Sequence, residues 1–293
     1  MRVRSVVFFL VLTGIAPSAS LLAQQQAPMT SPEERALLHQ GPDWEAIAPH
    51  LPDPKNSTAA QLELAGDVLR ARRFPEDALD YYGYAMARGG NISDLLNKMG
   101  VVRLELRQND LAKVMFERTV KVKKNNAQAW NNLGVTEYAS HRYSQAISDY
   151  KKASKIDKHA AVYHSNMGMA YFESKDMESA RKEFSVALKL DPNIMQGREG
   201  GGMTAHVLGT QNYPELCFEM ARLYAHNHDP ATMKMWIAKA AEGGYDVPEA
   251  MRDDTAMAPY LKDEDIKLIL QNAVQLHKPM VAVKTPALNQ SNM

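Results

Sequence analysis

Small and apolar residues recur along the chain with a period of 34 residues, and two columns of the repeat each contain a single residue type. A glycine is followed after twelve residues by an alanine, and an aromatic residue comes four positions later. Because spacings of three and four fall on one helix face, each period predicts two antiparallel helices joined by a short turn. The columns are Gly66, Gly100, Gly134 and Gly168, then Ala78, Ala112, Ala146 and Ala180, then Tyr82, Phe116, Tyr150 and Phe184.

This pattern resembles the tetratricopeptide repeat, most clearly in segments 129–157 and 162–192. Arg103 and Glu137 depart from it, because the family usually has an aromatic residue in their column. The resemblance implies an all-α fold, a right-handed α-solenoid of about five helical hairpins with short capping helices. The signature columns are filled by Trp130, Leu133, Gly134, Ala146, Tyr150 and Ala153, and in the next repeat by Gly168, Tyr171, Ala180, Phe184, Ala187 and Pro192.

The period divides the chain into successive regions. Four repeats occupy the central part, a glycine-rich insert follows, and a fifth, degenerate hairpin resumes the pattern with a displacement of 19 residues. Short helical segments on both sides are expected to cover the apolar ends of the array, as solenoids require. The predicted regions are a signal peptide at 1–23, an N-terminal cap at 24–58, four repeats at 59–194, the insert at 195–213, the fifth hairpin at 214–246, C-terminal capping helices at 247–275 and a disordered tail at 276–293.

The N-terminus has the order of a secretory signal peptide. Arg2 and Arg4 precede an apolar run at 6–12, and small residues follow up to Ala23, where cleavage is expected, with Ser20 as an alternative site. The apolar run is too short to span a bilayer, so no stable membrane insertion is expected after cleavage. The predicted location is the periplasm or the extracellular medium.

Charge and cysteine content narrow the possible partners. The chain has 34 basic and 34 acidic side chains, and loss of the signal peptide removes two arginines, so no overall positive field would hold nucleic acid. The single cysteine, Cys217, excludes an intramolecular disulfide and is expected to be buried and inert in a helix seam. Lysines gather in the second helices, and a solvated outer face explains them most simply.

Candidate chemical sites are few. The three glycines at 200–202 lack the lysine and the Ser or Thr of a phosphate-binding loop, so no nucleotide or other cofactor is expected. His226, His228 and Asp229, with His206 as a further ligand, leave a metal-dependent hydrolase as an alternative function. No pattern of a catalytic nucleophile or carboxylate pair is present, and the protein is predicted not to be an enzyme.

The resemblance places the first helix of each hairpin on the concave side of the array, which predicts a groove that binds another protein or a peptide. Amides on this side can pair with a peptide backbone, and aromatic side chains add contact area. Asn132 and Asn166 have an alternative role in contacts between repeats. The predicted groove residues are Asn97, Lys98, Gln128, Asn131, Asn132, Val135, Tyr138, Ser165, Asn166, Met169 and Phe172.

One specialised mode of binding is disfavoured by the same residues. Repeats that clamp the acidic C-termini of heat-shock chaperones need cations on successive first helices, but Val162 and Asn166 stand at those positions and only Asn132 fits. The sequence therefore predicts a non-enzymatic scaffold or adaptor of a bacterial-type cell envelope. A self-assembling structural envelope component is the remaining alternative, and the partner and oligomeric state stay open.

Overall fold

The computed structural model describes residues 31–196 and 212–276. The predicted signal peptide, nearly all of the glycine-rich insert and the predicted disordered tail lie outside these ranges. Every regular element within them is helical, so the predicted all-α class of stacked helical hairpins is confirmed. The chain divides into two compact units, Met1–Val122 (unit 1) and Lys123–Met293 (unit 2). Within the described residues, no helix combines the length and apolarity that crossing a bilayer requires.

Unit 1 contains two helical hairpins preceded by two short helices. Thr58 begins the first hairpin by a capping box, in which its side chain accepts from the Gln61 N–H while the Gln61 side chain accepts from the Thr58 N–H. The helices are α1 (Pro32–Leu38), α2 (Pro42–Ile47), α3 (Ala59–Ala71), α4 (Pro75–Ala87), α5 (Ile92–Glu105) and α6 (Asn109–Val122).

The two short helices of unit 1 are held on the first hairpin by stacked rings and charge. The His39 ring lies on the indole of Trp44 at a centroid distance of 3.6 Å, and Trp44 meets the edge of Phe74 at 5.2 Å. The buried carboxylate of Asp77 pairs with both Arg35 and His39. These helices therefore cover part of the apolar surface at the start of the array.

The described part of unit 2 contains three hairpins and a C-terminal segment with one short and one full-length helix. The first two hairpins pack tightly on each other, and Ile194 is buried where the chain leaves them. The helices are α7 (Ala127–Ala139), α8 (Tyr143–Ile156), α9 (Ala161–Glu173), α10 (Met177–Leu190), α11 (Tyr213–His226), α12 (Pro230–Glu242), α13 (Val247–Arg252) and α14 (Glu264–Leu276).

The glycine column exists because an aromatic ring occupies the space that a side chain would need. A Cβ atom added to Gly134 would lie 2.6 Å from the Tyr150 ring, and one added to Gly168 would lie 2.5 Å from Phe184. Both rings are fully buried. Close packing of this kind tolerates little added volume, so glycine is required wherever the ring contacts the first helix.

In the part of the chain that the structure describes, each of the five hairpin turns contains a non-glycine residue with positive φ. These residues are 34 positions apart through the first four hairpins. The fifth lies 19 positions beyond the place that the period predicts, which is the displacement already seen in the sequence pattern. The following N–H donates to a carbonyl five residues back, as from Gln108 to Arg103 at 2.9 Å, which is the pattern of a Schellman motif. The residues are Arg73, Arg107, His141, Lys175 and His228.

The C-terminal part of unit 2 is joined by buried polar contacts. The Asp254 carboxylate accepts from the N–H groups of Ala256 and Met257 and pairs with Arg222 of α11. Cys217 lies fully buried in α11, and burial raises the pKa of its thiol. This placement agrees with an inert thiol in a helix seam.

Candidate functional site

The candidate site is the first-helix face, which we define separately in each unit. It is formed by α3 and α5 in unit 1 and by α7 and α9 in unit 2. Side chains on it contact one another at a sequence distance of 35, as in the pair of Glu63 and Lys98 and the pair of Arg70 and Glu105. This spacing is one repeat plus one residue, so a position on one first helix meets the next position on its neighbour.

Unit 1 presents charged and accessible side chains on this face. The Lys98 Nζ lies 2.7 Å from Glu63 and 2.6 Å from Asp67. Partial burial lowers the pKa of Lys98, but the hydrogen bonds and charges of the two carboxylates together outweigh it and raise the pKa. The guanidinium of Arg70 donates to Glu105 through two nitrogens, with a shortest distance of 2.7 Å. Both members of this last pair are about 40% exposed. A partner can therefore reach ordered charges of both signs.

The predicted residues of unit 1 are accessible. Asn97 and Lys98 are half-buried on α5, as is Val101 one turn further on. Lys98 also lies 5.9 Å from the centre of the Tyr82 ring, whose hydroxyl donates to Asp67 at 2.8 Å. The structure thus brings Lys98 into a network of ion pairs and hydrogen bonds that the sequence pattern did not indicate.

Unit 2 corrects the expectation that its predicted residues form an open surface. Gln128 is exposed, but the other eight side chains are buried between neighbouring elements. They face adjacent helices because the first helices of unit 2 carry small or neutral side chains and pack closely. The buried set is Asn131, Asn132, Val135, Tyr138, Ser165, Asn166, Met169 and Phe172.

The buried amides of unit 2 bond to each other. Asn166 Nδ2 donates to Asn131 Oδ1 at 2.7 Å across the two first helices, and Asn131 Nδ2 donates to Asn132 Oδ1 at 3.2 Å. Asn166 therefore has the alternative role that the sequence left open, a contact between neighbouring repeats. Such buried amide pairs fix the register of neighbouring helices, because an unpaired buried amide is costly.

An accessible polar group that the sequence analysis missed lies at the end of α9. Glu173 is partly exposed, and its negative charge adds to burial in raising the pKa of Tyr138. The Tyr138 ring lies 5.5 Å from the ring of Tyr143. No family column includes Glu173, and only its position relative to Tyr138 in space shows that the two residues belong together.

The outer face of unit 2 has ordinary features of a solvated helix surface. The Lys152 Nζ lies 4.1 Å from the centre of the Trp130 ring and also pairs with Asp149 at 2.8 Å. The Trp130 indole N–H donates to the carbonyl of Lys124 at 2.9 Å. These contacts fasten the turn before α7 to α8 and leave the lysines in solvent.

The residues proposed for a metal-dependent hydrolase do not form a ligand set in the described structure. His226 and His228 are exposed at the turn between α11 and α12, and Asp229 caps α12 by accepting from the Thr232 N–H. Hydrogen bonds from the side chain and the backbone N–H of Thr232 lower the pKa of Asp229. Across 31–196 and 212–276, no group of three potential ligands converges. His206 and the three glycines lie outside the described residues.

Comparisons with known proteins identify the repeat. Two family models, both described as tetratricopeptide repeat, match residues 97–161 and 161–194. The segment 97–194 therefore consists of tetratricopeptide repeats, as the sequence pattern predicts. No curated protein matches the chain.

Several solved structures are similar to this chain. The PilF protein of Pseudomonas aeruginosa is 18% identical, with 74% of this chain and 90% of PilF covered and a TM-score of 0.51. MamA of Desulfovibrio magneticus is 18% identical, with coverages of 70% and 99% and a TM-score of 0.46. YrrB, described as a TPR protein with an unusual peptide-binding site, is 20% identical, with coverages of 60% and 82% and a TM-score of 0.42.

Proposed function

We propose that this protein is a non-enzymatic scaffold that binds another protein or a peptide on its first-helix face. The observation that carries the proposal is the accessible set of paired charges on α3 and α5, repeated at 35-residue distance on a helical-hairpin framework. Ordered charges of both signs orient a partner and discriminate against wrong ones more than they add affinity.

The same proposal includes export to the cell envelope or beyond. Its support is the order of basic, apolar and small residues at the N-terminus. The test is to express the full chain in a Gram-negative host and to sequence the N-terminus of the protein from the periplasmic fraction. A mature chain that begins after Ser20 or Ala23 is the expected result, and an uncut chain in the cytoplasm would contradict export.

Binding is tested by photocrosslinking from defined positions. A photoreactive residue replaces Val101 on α5 or Gln128 on α7, both of which are accessible on the first-helix face. These sites are preferable to Asn132 and Tyr138, because a bulky residue at those buried positions would disturb the packing. Matched controls carry the same group at the exposed outer positions Arg118 and Lys182.

The expected result is one crosslinked partner that is shared by the two inner positions and displaced by an excess of unmodified protein. Crosslinks that arise only from Arg118 or Lys182 would contradict binding on the first-helix face. Crosslinks of the chain to itself would instead support a self-assembling component. The protein purified for these experiments also serves for assays of bound metal and hydrolase activity, which a scaffold should lack.

A further inference from the structure

The repeat places one pair of residues at equivalent positions in the two units, and the contact between the members of the pair differs. In unit 1, the Arg70 guanidinium at the end of α3 forms an ion pair with the carboxylate of Glu105 at the end of α5 and donates to it through two nitrogens. Two periods later, the same positions of unit 2 contain Tyr138 at the end of α7 and Glu173 at the end of α9. The carboxylate is thus retained in unit 2 while an aromatic ring replaces the cation.

Glu173 is consequently left with an unsatisfied carboxylate oxygen. Its Oε1 atom is buried and has no hydrogen-bond partner, although the residue as a whole is partly exposed. Two basic residues that follow Tyr138 and Glu173 in sequence are engaged elsewhere: Arg142 pairs with Glu137, and Lys175 pairs with Glu215 at 2.9 Å. Within the described residues, no basic side chain forms an ion pair with Glu173, so an incoming cation would find an unmatched negative charge.

Two tyrosines lie near this carboxylate: the Tyr138 hydroxyl forms a hydrogen bond with Glu173, and burial and the charge of Glu173 raise the pKa of Tyr143. The Tyr138 and Tyr143 rings are inclined at 60° with centroids 5.5 Å apart, and the His141 ring lies edge-on to Tyr143 at 5.9 Å. The His141 Nδ1 atom is 2.8 Å from the Tyr143 hydroxyl, which fixes that ring. Ring faces attract cations through their quadrupole, and a guanidinium can stack on a ring while it bonds a carboxylate.

We propose that Glu173 and Tyr143, which are both partly exposed, form a subsite for a basic side chain of the bound protein or peptide, with arginine preferred over lysine. The arginine of the partner supplies the positive charge that Arg70 supplies to Glu105 in unit 1. The subsite rests on the proposed function, because it specifies which side chain the first-helix face recognises. The preference for arginine follows from the planar, two-pronged contact that Arg70 makes with Glu105.

The experiment selects binders from a displayed library of random 12-residue peptides on the full mature chain and on two variants. Glu173→Gln removes the charge and keeps the shape. Glu178→Gln, at an exposed position of α10, is the matched control. Removing an unpaired, partly buried charge should not unfold the protein, and thermal unfolding of all three proteins verifies this.

Peptides selected on the unaltered chain and on Glu178→Gln should contain arginine several-fold more often than the input library, and those selected on Glu173→Gln should not. A selected peptide should lose about ten-fold in affinity when its arginine becomes glutamine, and only on proteins that keep Glu173. Selected peptides without arginine enrichment, or enrichment that survives Glu173→Gln, would overturn the subsite and leave the scaffold standing. A library that gives no specific binder on any of the three proteins would overturn peptide binding and the subsite together.

Discussion

Asn166 Nδ2 donates a hydrogen bond of 2.7 Å to Asn131 Oδ1, thirty-five residues earlier in the chain. Glu63 and Lys98 hold the same relative positions in unit 1 and form an ion pair of 2.7 Å. The amide pair is buried and the ion pair is partly exposed. This difference follows from solvation, because burying two charges costs more than burying two amides, and an exposed ion pair keeps its contact with water.

The amide pair should contribute measurably to the stability of unit 2. Replacement of Asn166 by alanine removes the donor to Asn131 and opens a small cavity, so we expect the free energy of unfolding to fall by about 1–3 kcal/mol. Urea denaturation of the single variants and of the double variant with Asn131→Ala should give a coupling energy of about 1 kcal/mol. Additive effects would show that the two amides act independently. Gln128→Ala, at an exposed position of the helix that contains Asn131, serves as the control.

Helix glycines should respond to alanine with opposite signs at packed and open positions. Gly134→Ala places a Cβ atom 2.6 Å from the Tyr150 ring, so overpacking should cost about 1–3 kcal/mol despite the better helix propensity of alanine. Gly83→Ala, in α4, meets no atom within 4 Å and should stabilise unit 1 by about 0.5–1 kcal/mol. Chemical denaturation of both variants tests the pair, and equal signs would contradict the packing explanation.

The left-handed turn residues should favour glycine. Arg107 has φ of 58° and is exposed, so Arg107→Gly relieves a steric penalty and should raise the free energy of unfolding by about 0.5–1 kcal/mol. Arg107→Val should instead destabilise, because a β-branched residue is least compatible with this conformation. Thermal denaturation of the two variants checks the prediction. Similar midpoints for glycine and valine would argue against backbone strain at this turn.

We expect low pH to reduce the stability of the C-terminal part of unit 2, because the Asp254 carboxylate becomes protonated. Burial favours a higher pKa, but hydrogen bonds from Ala256 and Met257 and the charge of Arg222 outweigh it and lower the pKa below its usual value. A lowered pKa in the folded state means that the stabilisation is present above the unfolded value of about 3.9 and is lost as the pH falls through the folded value.

Asp254→Asn should therefore reduce stability near neutral pH by about 1–3 kcal/mol and flatten its decline below about pH 4. Urea denaturation between about pH 3 and pH 7, combined with amide exchange across 213–276, measures both effects. Asp253→Asn, at the exposed neighbouring position, is the control and should leave the curve unchanged. A variant at Asp254 with the steep acid dependence of the parent would exclude this carboxylate as the cause.

Much of the architecture follows from local pattern. The spacing of Gly134, Ala146 and Tyr150 predicts two helices, their antiparallel packing and the ring that lies against the glycine, because helical periodicity depends only on backbone geometry. Positive φ at the turns escaped sequence reasoning, since arginine, histidine and lysine occupy positions where glycine or asparagine usually signals that conformation.

Which residues form the accessible surface depends on the distances between helices. The spacing of residues along one helix gives no information about these distances. Asn131 and Lys98 belong to the same predicted groove, but close packing buries Asn131 while Lys98 stays within reach of solvent. Glu173 is a candidate only because the structure places it near Tyr138 and because no basic side chain among the described residues pairs with it. The repeat pattern thus determines which side of each helix faces inward, whereas the approach of neighbouring helices determines which inward side chains a partner can touch.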